Sequence, residues 1–452
     1  MARGKKKETL TPEERLQVAL VPASEQPYKV PGNWCWVPLQ TIDQYQSSSI
    51  DPSKHPETLF ELYSVPSSAN NYPEIVMGCE IGSTKQVVKK GDILLCKINP
   101  RINRVWKVSQ HTENALLASS EWIIVRSSEM ISDYLMYCFS APYFREYMLS
   151  NVSGVGGSLM RAQPKYVKTY PIPVPPCSEQ QRIVDRIESL FSKLDGAKQK
   201  AQDALDSFET RKAAILHKAF TGELTAQWRK EHGMGMESWQ TKKYSEICNI
   251  VRGGSPRPAG SPEFYDGNIP FMKVADITRN IGPYVNSTEY TIKEAGLKKT
   301  RMVDRNTLLL TNSGATLGVP AICTFKTTFN DGIAAFLGLN PDTLLFHYYF
   351  WTSKTADLRA INKGAAQPNL NTDIIGNVEI SLPKENEQCE IVRILDNLLA
   401  KEQQAKEAAE GVLEQINLTK KAILARAFRG ELGTNDPSEE SAVELLKQIS
   451  SY

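Results

Sequence analysis

Ala214-Ile-Leu-His-Lys-Ala-Phe-Thr-Gly-Glu-Leu224 returns 208 residues later as Ala422-Ile-Leu-Ala-Arg-Ala-Phe-Arg-Gly-Glu-Leu432. The same offset joins Glu179-Gln-Gln-Arg-Ile-Val184 to Glu387-Gln-Cys-Glu-Ile-Val392, and no gap is needed in between. Across this length 19 of 46 positions are identical, where background residue usage would give about 3. A repeat is therefore the first feature of the sequence to explain.

Weaker similarities lie upstream of each copy, and their offsets drift. Trp34 aligns with Trp239 at an offset of 205, and Gly91-Asp-Ile-Leu-Leu95 aligns with Asn306-Thr-Leu-Leu-Leu310 at 215. Gln163-Pro164 resembles Gln367-Pro368 at 204. Insertions and deletions have therefore occurred in the first part of each repeat. Each half is predicted to have a variable globular portion followed by a segment of fixed length.

The segment of fixed length has the a/d heptad spacing of a long coiled-coil helix. Prolines and a capping residue precede both copies, Gly222 and Gly430 follow them, and each helix of about 40 residues would be about 60 Å long. Arg211, Glu402 and Thr419 interrupt the apolar stripe. The predicted contact positions are Ile183, Ile187, Leu190, Ala197 and Ala204 in the first copy, and Ile391, Leu395, Leu398, Ala405 and Val412 in the second.

A narrow apolar stripe requires a partner, and the other copy in the same chain has equal length and an equal stripe. We therefore predict an antiparallel two-helix coil within the chain, in which the alanines allow close approach. Two alternatives stay open. Each helix could pack on its own globular domain, or two chains could pair.

Composition excludes several classes of protein. No apolar run approaches the roughly 20 residues that span a bilayer, and the basic N-terminus has no apolar signal core behind it, so a cytoplasmic protein is expected. The eight cysteines are far apart and form no C-x-x-C pair, which argues against structural zinc. The five histidines form no H-E-x-x-H motif, and we expect no metal site.

The globular portions are predicted to be mixed α and β, with a basic cluster in the first. Residues 85–107 hold seven basic residues against one acid, Asp92, and mix cations with asparagines. Cations neutralise phosphates, and amides and guanidinium groups bond to base edges. The predicted DNA-binding residues of the first half are Lys85, Lys89, Lys97, Asn99, Arg101, Asn103, Arg104, Lys107 and Arg161.

The second half has a weaker candidate surface. Residues 293–305 hold five basic and two acidic residues, and a small polar loop, 311–316, follows. The candidates there are Lys273, Arg301, Asn312, Ser313 and Thr316. For any single residue a solvated basic surface is an equally good explanation.

Several catalytic motifs are absent from the sequence. It has no G-x-x-x-x-G-K-[ST] motif for ATP. The run nearest to an amino-methyltransferase loop, Asn99-Pro-Arg-Ile102, lacks the second proline and the aromatic residue that hold a flipped base. No catalytic triad can be argued. The sequence alone favours a non-catalytic DNA-binding protein.

The order of motifs resembles the specificity subunits of Type I restriction–modification systems. The matching stretches are Asn33-Trp34-Cys-Trp36-Val-Pro-Leu39, Gly91-Asp-Ile-Leu94, Gln367-Pro-Asn-Leu370, the Pro-(x3)-Glu-Gln-(x2)-Ile-Val helix starts at Pro175 and Pro383, and the paired Ala-Phe-x-Gly-Glu-Leu ends. Gln163-Pro-Lys-Tyr166 and Asn306 depart from the family pattern.

The resemblance implies an α+β protein with two target recognition domains, related by a pseudo-two-fold axis and joined by the helix pair. Each domain would read half of a bipartite, asymmetric DNA target, and the helices would set the spacer. The partners implied are two methyltransferase subunits and the restriction subunits. These would bind S-adenosylmethionine, ATP and magnesium, whereas this chain would bind no cofactor and catalyse no step. A protein-binding coiled-coil adaptor and a stand-alone DNA methyltransferase are the alternatives.

The predicted domain boundaries follow from the repeat. They are 1–173 for the first recognition domain with an N-terminal helix, 174–225 for the first long helix, 226–236 for a linker, 237–381 for the second recognition domain, 382–433 for the second long helix and 434–452 for a C-terminal tail helix. The stretches beginning at Thr11 and Ser438 each predict a capped helix, and we expect the two termini to meet.

Overall fold

The computed structural model describes residues 17–154, 160–361 and 369–449. It divides into two compact units, Met1–Ala201 with Gly411–Tyr452, and Gln202–Glu410. The stretch beginning at Thr11, residues 155–159, and Gln367-Pro368 lie outside the described residues. Within the described ranges, no helix has the length and apolar character needed to cross a bilayer.

The first unit is mixed α and β. A five-stranded sheet has the order Ser49–Ile50, Lys85–Val87, Ala115–Ala118, Leu59–Tyr63, Glu74–Met77. A three-stranded sheet has the order Val105–Lys107, Ile93–Cys96, Trp122–Val125, and Cys35–Pro38 pairs with Pro171–Val174, as Val152–Ser153 does with Arg161–Ala162. The α-helices are Leu39–Ile42, Ser132–Ser140, Pro142–Ser150, Pro164–Val167 and Ala442–Ile449, and the first long helix begins at Cys177. Short 3₁₀ turns occupy Pro52–Lys54, Ser67–Asn70, Gly78–Glu80 and Pro100–Ile102.

The second unit repeats this plan with different loops. A five-stranded sheet has the order Asn249–Arg252, Ile333–Leu337, Thr307–Thr311, Pro320–Cys323, Tyr284–Val285. A four-stranded sheet has the order Tyr290–Ile292, Tyr265–Met272, Thr327–Phe329, Arg301–Val303, and Gln240–Lys243 pairs with Glu379–Leu382. The α-helices are Phe208–Phe220, Ala226–Glu231, Tyr244–Ile247, Val274–Thr278, Leu344–Ile361, Thr372–Gly376 and the start of Glu385–Ala427, with 3₁₀ turns at Met236–Ser238, Glu294–Lys299 and Pro341–Thr343.

The long helices differ in detail from the sequence expectation. The first is interrupted at Ser207, so that Cys177–Asp206 and Phe208–Phe220 are separate helices, whereas Glu385–Ala427 is continuous. The stretch 226–236, expected to be a linker, contains the helix Ala226–Glu231. Gly222 and Gly430 follow the helix ends with φ of +80° and +75°, a conformation that favours glycine. At Gly430 an added Cβ would also lie 2.4 Å from Pro31 Cγ.

Long-helix segments pair antiparallel within each unit. In the second unit, Arg211 Nε lies 2.8 Å from Glu402 Oε2, and Lys406 lies over the Phe208 ring, 5.0 Å from its centroid. In the first unit, Asp195 forms an ion pair with Lys420 at 2.6 Å, while Arg182, further back, donates to the Thr434 carbonyl at 2.9 Å. In both units, contacts made by later residues of the first segment involve earlier residues of the second, so the two segments run antiparallel. The predicted α+β class with antiparallel paired helices is confirmed.

The predicted contact positions are buried at the helix starts and mostly exposed in the middle. Ile183, Ile187, Ile391 and Leu395 are fully buried in the cores of their units, and Leu190 and Leu398 are half-buried. The predicted positions that are exposed are Ala197, Ala204, Ala405 and Val412.

Larger side chains occupy the inner face in their place. Leu205, Lys406 and Leu413, each one residue after an exposed predicted position, are half-buried, and Ala201 and Ala409 are buried. Burial of a leucine or of a lysine stem removes more apolar area from water than burial of an alanine does. The stripe therefore has the predicted period, but four of its ten predicted positions face solvent, and at three of these four the next residue is half-buried instead.

Arg211 and Glu402, which interrupt the apolar stripe, form an ion pair with each other. We expect Arg211→Glu or Glu402→Arg alone to lower the free energy of unfolding by about 1 kcal/mol, because the pair is partly exposed and screened by solvent. The double reversal should recover most of that loss, which urea denaturation of the three full-length variants would measure. Reversing the exposed pair Arg393–Glu390 on the second long helix is the control and should change stability by less. Additive losses in the double variant would contradict the pairing.

A buried glutamate at the start of the second long helix, Glu387, forms an ion pair with Arg229. This arginine lies in the segment that follows the first long helix. Glu387 is fully buried, and Arg229 Nη1 lies 2.6 Å from its Oε1. Thr225 donates a hydrogen bond to the same oxygen at 2.7 Å. Arg229 also donates to the Gly222 carbonyl, so one guanidinium ties the end of one helix to the start of the other.

The first unit has the equivalent arrangement at Glu179, 208 residues earlier. This carboxylate is fully buried and accepts hydrogen bonds from Trp34 Nε1 at 2.7 Å and from Asn435 Nδ2 at 2.8 Å. Here the segment after the second long helix closes on the start of the first, and Ala442 donates to the Asn33 carbonyl. The C-terminal segment therefore packs against residues near the N-terminus.

Candidate nucleic-acid interface

A β-hairpin divides the basic cluster of the first unit into separate groups. Its strands, Ile93–Cys96 and Val105–Lys107, pair antiparallel. Lys97, Arg101 and Arg104 lie at its turn. Lys89 and Lys107 lie at its opposite end, because Lys107 pairs with Ile93. Lys85 belongs to the neighbouring five-stranded sheet, and partial burial lowers its pKa. The sequence cluster is therefore not one continuous patch.

The two asparagines of the hairpin turn shape its backbone. Asn99 and Asn103 have φ of +46° and +45°, and asparagine tolerates this left-handed region better than most residues. The Asn99 N–H donates to the Met160 carbonyl at 2.8 Å. The Asn103 amide lies about 3.4 Å from the Ser140 carbonyl, which is a weak contact. The structure thus gives these residues a role in the turn.

Arg161 joins the hairpin turn although it is remote in sequence. It forms an isolated β-bridge with Ile98, and its guanidinium lies 3.2 Å from Glu121. Lys97 Nζ donates to the Ser120 carbonyl at 2.6 Å. The turn thus assembles Lys97, Arg101, Arg104 and Arg161, whereas Lys107 is engaged in an ion pair with Asp133.

The polar loop 311–316 of the second unit differs from its expectation at Asn312. The Asn312 side chain is fully buried, and its backbone extends the strand Thr307–Thr311 by bonding to Gly332 and Leu370. In this conformation the side chain is closed off from solvent, and its amide nitrogen and oxygen have no hydrogen-bond partner within the described ranges. Its role in DNA binding stays a prediction. Ser313 forms a β-bridge with Asn369. Thr316 is exposed at the tip, held by a hydrogen bond from Thr311 Oγ1 to its carbonyl.

The two bridges correct one alignment between the repeats. Ile98 bridges Arg161 and Ser313 bridges Asn369, so Arg161 is equivalent to Asn369 at an offset of 208. The one-turn helices Pro164–Val167 and Thr372–Gly376 follow at the same offset. Gln163 therefore corresponds to Asn371, not to Gln367. The offset of 208 extends upstream of the long helices to this loop.

In the four-stranded sheet of the second unit, Lys273 and Arg301 lie at the same end of the strands. We call this end of the sheet its edge. Strands Tyr265–Met272 and Thr327–Phe329 are parallel, so Lys273 and Asn330 both follow their carboxyl ends. The antiparallel outer strands begin at that edge, with Tyr290 opposite Phe271 and Arg301 opposite Phe329. Sequence reasoning missed Tyr290, Asn330 and Arg257, since only the order of the strands brings them together.

Metal ligation finds no support in the described ranges. No group of three or more His, Cys, Asp or Glu side chains there could hold an ion. All eight cysteines are free thiols, and burial raises the pKa of Cys35, Cys138 and Cys248 to about 12. These three thiols are therefore protonated and unreactive near neutral pH.

The fold combines two repeated α+β units, paired long-helix segments and a basic hairpin turn. The family model described as Type I restriction modification DNA specificity domain matches residues 236–412. The EcoDI specificity subunit of Escherichia coli is 28% identical over 207 residues, which cover 45% of this chain and 45% of that protein. The EcoKI specificity subunit of Escherichia coli K12 is 22% identical over 352 residues, covering 72% and 73%.

Solved structures share the fold. A chain from a study of complex assembly and conformational transition of the type I R-M system is similar with a TM-score of 0.71 and 22% identity, covering 90% of this chain and 100% of that one. The HsdS subunit of Thermoanaerobacter tengcongensis is similar with a TM-score of 0.61, 21% identity and the same coverage. The chain is thus similar over most of its length to Type I restriction enzyme specificity subunits, and its fold is that of the solved subunits.

Proposed function

We propose that this chain binds double-stranded DNA as a non-catalytic subunit, and that each of its units reads one half of a bipartite, asymmetric target. The observation that carries this is the duplication of the hairpin loop with the segment beside it. Loops 97–104 and 312–319 each meet an equivalent residue, Arg161 or Asn369, across a β-bridge. Two equivalent surfaces of different chemistry suit two half-sites of different sequence.

The two surfaces differ in charge. The turn of the first unit presents Arg101, Arg104 and Arg161, whereas the equivalent loop of the second unit contains only neutral residues. Cations supply the affinity for phosphate that depends on salt. The first unit therefore contributes more of the phosphate binding at this loop.

Catalysis belongs to partners in this proposal. Two methyltransferase subunits and the restriction subunits would assemble on the chain, and they would bind S-adenosylmethionine, ATP and magnesium. The EcoKI relative carries the name of a subunit of such an enzyme. A protein that acts on chromosomal DNA in this way would reside in the cytoplasm.

Mapping methylated adenines in the genome tests this function. In cells that carry this gene with its neighbours, we expect methylation of one split motif with a fixed spacer. Deleting the gene should abolish that methylation, and the full-length chain supplied in trans should restore it. Persistence of the motif without this chain would contradict the proposal. S-adenosylmethionine binding by the isolated chain would favour a methyltransferase.

A further inference from the structure

The second unit contains a pocket of about 270 Å³ at the sheet edge that carries Lys273. Its floor is apolar, formed by the buried rings of Phe271 and Tyr265. One wall is the loop 255–260, which the Tyr265 hydroxyl anchors by donating to the Pro256 carbonyl at 2.9 Å. The pocket therefore lies at the end of the four-stranded sheet and is bounded on one side by an anchored loop.

Ser255, Arg257 and Asp331 are polar residues that line the pocket. Ser255 Oγ donates to Asp331 Oδ1 at 2.5 Å, and the Arg257 guanidinium lies 4.0 Å from Asp331 Oδ2. Arg257 remains 72% exposed, so most of its five donors face solvent. A contact of this length between exposed groups does not fix the guanidinium, so its donors can turn towards a ligand.

The Tyr290 ring and the Lys273 ammonium group also line the pocket. Lys273 Nζ lies 3.1 Å from the centroid of the Tyr290 ring, and Tyr290 remains 38% exposed. This cation–π contact fixes the ring. A fixed, partly exposed ring offers a flat apolar surface next to the donors of Arg257.

Asn330 lacks a hydrogen-bond partner for its side-chain oxygen. Oδ1 is buried and accepts no hydrogen bond from the part of the chain that the structure describes, while the backbone N–H is bonded to Met272. Buried polar atoms are nearly always paired. Because Asn330 lines the pocket, rotation of its side chain would bring this unpaired acceptor within reach of a ligand that carries a donor.

We propose that this pocket reads the major-groove edge of one purine in the half-site bound by the second unit, with Arg257 and Asn330 as the reading side chains. Adenine fits both residues, because its N7 accepts from a guanidinium group and its N6 amino group donates to an amide oxygen. A phosphate is a poorer fit, because the carboxylates of Asp331 and Asp266 also line the pocket. The proposal rests on the proposed function and assigns residues to it.

Binding of DNA duplexes that carry the mapped motif, each with one base pair of the half-site replaced, tests the assignment. The full-length chain assembled with its methyltransferase partners is compared with Arg257→Ala, Asn330→Ala and Asn330→Asp. We expect discrimination at one purine position to fall about tenfold to a hundredfold, with no change at the other positions. Lys326→Ala is the control, because Lys326 precedes the strand Thr327–Phe329 at the opposite edge of the sheet.

Two outcomes would overturn the assignment. An equal loss of affinity on every duplex, with a shallower salt dependence, would show a phosphate contact instead. Unchanged discrimination in variants that unfold at the wild-type temperature would show that the pocket does not read DNA. If the genomic motif still depends on the chain in that case, the proposed function stands and only the pocket assignment fails.

Discussion

Replacing Arg229 with methionine is expected to lower the free energy of unfolding by about 3–5 kcal/mol. Arg229 and Glu387 form a buried ion pair, with side-chain exposures of 7% and 0%. Methionine fills similar apolar volume but leaves the Glu387 carboxylate with the Thr225 hydroxyl as its remaining donor. Glu387 Oε2 has no hydrogen-bond partner within the described ranges even with Arg229 present. A buried charge without its partner is strongly destabilising.

Guanidinium denaturation of the full-length variant at neutral pH measures this loss. The matched control is Arg182→Met in the first unit, whose partner Glu439 is partly exposed, so that about 1 kcal/mol or less is expected. The double variant Arg229→Met with Glu387→Leu should recover much of the loss, since no buried charge remains. Equal effects of Arg229→Met and Arg182→Met would show that burial of the pair does not matter.

The ion pair between Arg182 and Glu439 also affects how the free energy of unfolding depends on pH under acidic conditions. Hydrogen bonds from Arg182 and Ser178 lower the pKa of Glu439 to about 2, below its unfolded value. The stabilisation from this carboxylate is therefore complete above the unfolded pKa and is lost as the pH falls towards 2. Because the pair is partly exposed, solvent screening keeps this contribution small.

The long helices could be predicted because their signals are local. A heptad period, a proline start and a glycine stop all fall within one segment, and the gapless offset of 208 showed that both copies keep them. The contact frame could not be fixed in the same way. Two neighbouring apolar residues can each continue the stripe from one buried position to the next. After the buried Ala201, for example, both Ala204 and Leu205 are at suitable helical spacing. Only contact with the facing helix determines which of the two is buried.

The candidate interface was less predictable because it depends on strand pairing. The cluster 85–107 is continuous in sequence, but a hairpin carries Lys97 and Lys107 to opposite ends. Asn312 has the composition of a loop residue, yet it extends a strand and is buried. Conversely, Arg257, Tyr290 and Asn330 are far apart in sequence and meet only because their strands end at one edge. Local composition identified the basic residues, but it could not show which side chains lie next to one another in the folded chain.

The short terminal strands of the second unit suggest that its globular segment could be exchanged without altering the pairing of the long helices. In the second unit Gln240 lies opposite Leu382 in the antiparallel pair Gln240–Lys243 with Glu379–Leu382. The two ends of the segment 237–381 therefore meet at one short ladder, beside the helix starts. The chain between these two strands begins and ends at the same ladder. The segment therefore resembles an inserted domain whose two ends are adjacent.

Exchanging residues 237–381 for the equivalent segment of a relative with another target is expected to replace one half of the methylated motif completely. The other half and the spacer should persist, since the first unit and both long helices are unchanged. Adenine methylation mapping of cells that carry the chimera provides the measurement. A chimera with substitutions only at the two junctions is the control and should retain the original motif. Retention of both original halves by the full exchange would place sequence reading outside this segment, and a change in both would show that the halves are not read independently.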